Sequence, residues 1–232
     1  MPSKELRLGV LVSGGGTNLQ AIIDACESKR IPARVVVVIS NNSDAYGLVR
    51  AREHGIPAVH LSNVHHPKDD ALDRAIVAKL KEYGVTLVCF AGYMKRRGVA
   101  FLKEFPNRVL NIHPGPLPEF GGKGMHGHNV HEAVLRSGVR SSGPTIHLVD
   151  DRYDHGPVIG HIDVPVLPGD TPDTLAARVL AQEHVLYVDV IGRIARGEID
   201  LDLIARTGRT TAMGGRARTR KDRKPPPLSA LR

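Results

Sequence analysis

Residues 35–39 read Val-Val-Val-Val-Ile, flanked by Arg34 and Ser40. An unbroken β-branched run suits a strand that is apolar on both faces. A sheet with one wet face asks instead for alternation, so the run points to a parallel sheet covered by helices on both sides. Parallel neighbours need crossover connections, and the flanking sequence supplies them. Residues 6–12 (Leu-Arg-Leu-Gly-Val-Leu-Val) read as a strand, and 18–29 place Leu19, Ile22, Ile23 and Cys26 at helical spacing. Residues 45–54 form a second helical pattern stopped by Gly55, and 58–61 a short strand. Residues 69–83 carry Leu72, Ile76, Leu80 and Tyr83 on one helical face. A strand at 85–91, a helix at 95–104 and a strand at 108–112 complete the alternation. This order, with right-handed crossovers, predicts an α/β fold with a Rossmann-like, doubly wound, mostly parallel sheet.

The alternation changes after Asn111. Residues 113–124 are rich in Pro and Gly, and 125–137 read as a helix closed by Gly138. Strands at 145–149 and 158–166 follow with no helix between them, which predicts antiparallel additions to the sheet. Residues 171–196 form one long C-terminal helix, capped by Asp170 or Thr171, with Pro172 tolerated in its first turn. The expected organisation is one domain over 1–206, with halves of about 1–110 and 111–206, and an appendage over 207–232.

Charge separates that appendage. It holds eight Lys/Arg against one acid and so carries +7 of the net +8, which leaves +1 on residues 1–206. With Gly214-Gly215, Pro225-Pro226-Pro227 and no apolar periodicity, it reads as a disordered, solubilising tail. Four Phe, five Tyr and no Trp argue against a surface of base-stacking rings, so nucleic acid is not an expected partner. No apolar run approaches the ~18 residues of a membrane span. The chain enters its first strand at residue 6 with no signal-peptide pattern, and two cysteines at unrelated positions fit a reducing, cytoplasmic setting.

Three motifs carry chemistry. Ser13-Gly14-Gly15-Gly16-Thr17-Asn18 joins the first strand to the first helix. Glycines admit close approach of an anion, the helix start offers free N–H groups, and Thr17 and Asn18 side chains add donors. No Gly-Lys-Ser/Thr follows, and Leu19 breaks G-x-G-x-x-G, so a phosphate monoester fits better than a dinucleotide. Asn111-Ile112-His113-Pro114 ends the fifth strand. Residues i and i+2 share a strand face, so Asn111 and His113 project together at the carboxyl end of the sheet, where open α/β sheets bind ligands. An amide beside an imidazole can hold an oxyanion and move a proton. Asp150, Asp151 and Asp154 follow the 145–149 strand, and any of them could serve the imidazole or simply cap a turn. The histidines at 126, 128 and 131 lack a partnering Cys or a His-Glu-x-x-His pattern, so no metal is expected.

These segments carry a resemblance. Residues 13–22 (Ser-Gly-Gly-Gly-Thr-Asn-Leu-Gln-Ala-Ile), Ser-Asn-Asn-x-x-Ala-Tyr-Gly-Leu at 40–48, Ala-Gly-Tyr-Met at 91–94, Asn-Ile-His-Pro at 111–114 and Asp-His-Gly-Pro-Val-Ile at 154–159 occur in this order. Together they resemble the folate-dependent formyltransferases, over about residues 6–198. The continuation of the first loop is similar to the glycinamide ribonucleotide branch. The resemblance implies formyl transfer from 10-formyltetrahydrofolate, as co-substrate, to the amine of glycinamide ribonucleotide in purine biosynthesis. It implies Asn111, His113 and Asp154 as the catalytic set; attack on a formyl group builds an anionic oxygen that His113 as imidazolium and the Asn111 amide would stabilise. It puts the substrate phosphate on Gly16, Thr17 and Asn18 in the 1–110 half, and makes Glu183 a substrate contact. Folate falls in the 111–206 half and on Met94, Lys95, Arg96, Arg97, Asn111, Val149, Asp150 and Lys68. Lys68 and Lys95-Arg96-Arg97-Gly98 depart from the family pattern, which has arginine at the first position and arginine followed by apolar residues at the second. A monomer or homodimer is expected. A tRNA-directed relative would add an RNA-binding domain of roughly 100 residues, for which a 26-residue basic tail is too short.

Overall fold

The computed structural model describes residues 5–66, 70–95 and 98–208. Strands β1 (Leu6–Val12), β2 (Ala33–Ser40), β3 (Ala58–His60), β4 (Leu87–Phe90) and β5 (Val109–His113) alternate with helices α1 (Thr17–Glu27), α2 (Tyr46–Glu53), α3 (Ala71–Glu82) and α4 (Val99–Glu104). Then come α5 (His128–Ser137), β6 (Ser141–Ser142), β7 (Thr145–Leu148), β8 (Val158–His161), β9 (Val164–Pro165), α6 (Pro172–Ala195) and α7 (Leu201–Thr207). The main sheet runs β3-β2-β1-β4-β5-β7-β8. All neighbours from β3 to β5 pair in parallel, whereas β7 is antiparallel to both β5 and β8. The doubly wound sheet is therefore present. Only β7 runs against the others; β8 reverses again and shares their direction.

The β-branched run is buried as its composition requires. Val35 and Val38 pack with Leu19, Ile22, Tyr187 and Ile191 on one face, while Val36, Val37 and Ile39 pack with Ile76, Leu80 and Phe101 on the other. The fully buried Tyr187 of α6 donates its hydroxyl to the Phe90 carbonyl at 3.1 Å, which ties the helix to the end of β4. A third cluster joins α5 to the first half of α6 through Val130, Val134, Leu175 and Val179.

Boundaries differ from the sequence reading where backbone geometry overrides pattern. The helix expected from residue 125 starts at His128, because Gly124 (φ 89°) and Gly127 (φ 53°) hold the chain out of helical conformation. The expected 158–166 strand breaks into β8 and β9, and β9 leaves the main sheet to pair with β6. The C-terminal helix begins as expected: Thr171 caps it, accepting from the Thr174 N–H at 3.2 Å, with Pro172 as its first residue. A short further helix, α7, capped by Asp200, went unread because seven residues give too little periodicity. The basic tail beyond Gly208 lies outside the described residues.

The order reverses between β1 and β4. The chain winds outward from β1 through β2 to β3, then returns to the other side of β1 as β4 and β5. The loops after β1, β4 and β5 thus open into one crevice at the carboxyl edge of the sheet, the usual ligand position in open α/β sheets.

Candidate active site

A cavity of about 730 Å³ fills that crevice. Asn18, Glu183, Asn111, His113, Asp154, Met94, Lys95, Val149 and Asp150 are among the residues that line it. Lys68, Arg96 and Arg97, also expected near folate, lie outside the described residues.

Strand alternation gives Asn111 and His113 their geometry. Ile112 joins the core beneath the sheet, so Asn111 and His113 share the opposite face. His113 is buried, and its Nε2–H donates to the Phe120 carbonyl at 2.8 Å. That hydrogen bond selects the tautomer and leaves Nδ1 bare, 3.5 Å from Asp154 Oδ2. Asp154 Oδ1 lies 3.5 Å from Asn111 Nδ2, and Oδ2 accepts the Gly122 N–H at 3.0 Å. Asp154 is the aspartate brought beside His113. Asp150 instead accepts the Arg152 N–H at 2.9 Å and pairs with His155 at 2.7 Å, a turn-forming role, while Asp151 is exposed. Asp154 holds φ 50°, a left-handed conformation that costs a non-glycine residue energy and is a recurrent mark of functional sites.

Electrostatics here are a contest between burial and neighbours. Burial pushes the Asp154 carboxyl upward, but the neighbouring His147 and His113 rings and the Gly122 N–H outweigh it and hold it below its ordinary value. It is therefore a carboxylate at neutral pH. Burial lowers the His113 pKa, and Asp154 only partly offsets this. The balance favours the neutral ring before reaction, with the imidazolium forming once a proton is taken up. Once charged, it faces an acceptor at each nitrogen, the Phe120 carbonyl and the Asp154 carboxylate.

Of the expected phosphate-binding residues only Asn18 lines the cavity; Thr17 and Gly16 do not, and Gly16 caps α1 in a left-handed conformation (φ 70°). A Cβ there would lie 2.7 Å from the Gly47 Cα. The Asn18 side chain departs from expectation: its Nδ2 donates to Glu183 Oε2 at 2.6 Å. That bond engages one of the two N–H groups of the Asn18 amide. Glu183 is buried, which raises its pKa against the opposing effect of Asn18. Met94 is half-exposed, and its N–H donates to Ser13 Oγ at 2.9 Å, which links the β4 loop to the start of the glycine loop.

Sequence reasoning missed His147 and weighed His131 only as a metal ligand. His147 sits opposite Asn111 in the β5–β7 ladder, with Nδ1 donating to the Leu148 carbonyl at 2.7 Å and Nε2 3.1 Å from Asn111 Nδ2. It orients the Asn111 amide: one N–H is fixed on His147, and the second is engaged only loosely by Asp154. The available signal was a polar residue between Ile146 and Leu148 in a buried strand, which must find a partner. His131 of α5 is also buried and lines the cavity, and burial lowers its pKa.

Fold and site together define a doubly wound α/β protein with a glycine-rich loop after its first strand and an Asn-His-Asp cluster whose chemistry suits group transfer. Comparison with known proteins agrees. A family model described as formyl transferase matches residues 6–191, and the chain belongs to that family. It is 44% identical over 194 residues to the chloroplastic phosphoribosylglycinamide formyltransferase of Arabidopsis thaliana, covering 83% of this chain and 66% of that protein. It is 40% identical over 196 residues to the phosphoribosylglycinamide formyltransferase of Escherichia coli, covering 84% of this chain and 90% of that one. The chain thus spans just under two thirds of the plant relative and most of the bacterial one. The crystal structure of glycinamide ribonucleotide transformylase 1 from Symbiobacterium toebii matches with a TM-score of 0.79 at 47% identity, covering 84% of this chain and 90% of that one.

Proposed function

We propose that this chain transfers the formyl group of 10-formyltetrahydrofolate to the amine of glycinamide ribonucleotide, a step of purine biosynthesis. The observation that carries the reading is Asp154 seated 3.5 Å from both Asn111 and His113 in the lining of the cavity, in a chain with relatives of that name. The glycine loop that leads into Asn18 suits the nucleotide phosphate, and Glu183 suits the rest of that substrate. The lining by Met94, Lys95, Val149 and Asp150, with the apolar Phe90 and Ile112, suits a flat heteroaromatic co-substrate with an anionic tail.

In this reading the amine attacks the formyl carbon, the new C–N bond forms, and the carbonyl electrons move onto oxygen. The loosely engaged N–H of Asn111 and the charged form of His113 stabilise that oxyanion. His113 Nδ1 accepts the proton that the attacking nitrogen sheds. Asp154 favours the imidazolium so formed, and the proton passes to the departing folate nitrogen as its C–N bond breaks. None of these steps calls for a covalent enzyme intermediate. Among the described residues no helix is long and apolar enough to cross a membrane. A cytoplasmic location suits two cysteines that are not disulfide-bonded.

Gly16→Val is expected to weaken glycinamide ribonucleotide binding far more than folate binding. The added side chain strains a left-handed position and strikes the Gly47 backbone beneath the loop. Calorimetric titration of each ligand into folded variant checks this, and equal losses for both ligands contradict the assignment of the loop to the nucleotide.

A further inference from the structure

The glycine loop is held from behind by α2. The Gly47 N–H donates to the Gly14 carbonyl at 3.0 Å, and the Arg50 Nε–H donates to the Gly15 carbonyl at 2.9 Å. Arg50 is itself braced: its Nη1 donates to Gln20 Oε1 at 3.0 Å, and its guanidinium carbon lies 4.9 Å from the centre of the Tyr46 ring. Gln20 Nε2 in turn donates to Asp24 at 2.8 Å and to His54 Nε2 at 3.0 Å, and His54 Nδ1 faces Glu27 at 2.9 Å. A fixed network over α1 and α2 therefore ends on the carbonyl oxygens of the loop.

Peptide planarity gives this clamp a consequence. In a trans peptide the carbonyl of one residue and the N–H of the next point in opposite directions. Pulling the Gly14 and Gly15 carbonyls toward α2 turns the N–H groups of Gly15 and Gly16 away from it. They then stand beside the free N–H groups at the start of α1, where Gly16 supplies the left-handed turn. Consecutive N–H groups converging in this way form an anion-binding nest. The two donors on α2 thus set which face of each peptide the loop offers to an anion.

Gly47 belongs to the same device. A Cβ on it would meet Val12 Cγ2 at 2.9 Å, and a Cβ on Gly16 would meet Gly47 itself. The close approach that brings the Gly47 N–H to the loop thus needs glycine on both sides.

We propose that Arg50 is a positioning residue for the substrate phosphate: it acts through the Gly15 carbonyl, presenting loop N–H groups to the phosphate without contacting it. This rests on the reading of residues 13–18 as the phosphate loop. The test compares glycinamide ribonucleotide with its phosphate-free riboside, by calorimetry, on wild type, Arg50→Met, Arg50→Lys and Gln20→Met. Arg50→Met keeps an unbranched stem over Tyr46 and removes the donors. Its thermal unfolding is measured alongside, and Gln20→Met, which removes only the brace, covers the case in which Arg50→Met does not fold.

Wild type is expected to prefer the nucleotide strongly over the riboside. Arg50→Met is expected to lose about tenfold in nucleotide affinity, the scale of one charge-assisted hydrogen bond, with riboside and folate affinities unchanged. Gln20→Met is expected to lose less, in the same direction. Arg50→Lys, a point charge without the planar fork, is expected to recover little. Full recovery by lysine overturns the proposal in favour of direct charge contact, and nucleotide affinity at the wild-type level in Arg50→Met or Gln20→Met overturns it outright. Failure of wild type to distinguish nucleotide from riboside overturns the phosphate-loop reading itself, and the proposal with it.

Discussion

His113→Ala is expected to lower formyl transfer at least ~100-fold, because a positioned acid–base group is typically worth ~10²–10⁴ in rate. The imidazole is placed to do two things in succession. In the resting protein it is neutral, since burial outweighs the neighbouring Asp154 carboxylate. It therefore accepts the proton that the attacking amine loses. Once protonated it faces the Phe120 carbonyl, 2.8 Å from Nε2, and Asp154, 3.5 Å from Nδ1, so the charged form is stabilised as the oxyanion develops beside it. Alanine removes both the base and the cation while leaving the β5 backbone ladder intact. Single-turnover kinetics with both substrates saturating checks this, together with circular dichroism to show that the variant is folded. Turnover within a few-fold of wild type removes His113 from the mechanism.

Asp154→Asn is expected to cost a similar factor and also to move the pH–rate profile. The carboxylate raises the His113 pKa, so its removal lowers it. The limb of the profile governed by His113 therefore shifts to lower pH in the variant, with a lower plateau because only the Phe120 carbonyl is left to favour the imidazolium. Asp150→Asn serves as the comparison. Asp150 holds the Arg152 N–H and His155 in a turn, and its loss is expected to be milder and to leave the limb in place. A dead Asp150→Asn beside an Asp154→Asn that keeps both rate and profile assigns the role to the wrong aspartate.

What could be read before the structure was known follows from the range of the interactions involved. The parallel sheet was legible because the Val35–Ile39 run is a local consequence of double-sided burial. The shared projection of Asn111 and His113 was legible because strand alternation is local too. His147 was not, because its role depends on an antiparallel register that pairs it with Asn111, 36 residues away in sequence. The choice among Asp150, Asp151 and Asp154 was open for a similar reason. It depends on how the loop after β7 folds back to the Gly122 N–H, and the residues alone left all three in reach of a turn. The protonation state of His113 depends on a sum over burial and charge that no short motif encodes. Asn18 shows the reverse case: a loop asparagine read as an anion donor proves to be held by Glu183 on α6, a contact across the whole chain.

Formyl transfer measured with three acceptors side by side — glycinamide ribonucleotide, tRNA and water — tests the central claim most directly. With 10-formyltetrahydrofolate as donor, the expected result is rapid, stoichiometric formylation of the ribonucleotide amine, little formate release to water and none to tRNA. Formylated tRNA, or formate as the main product while the ribonucleotide stays unmodified, contradicts it.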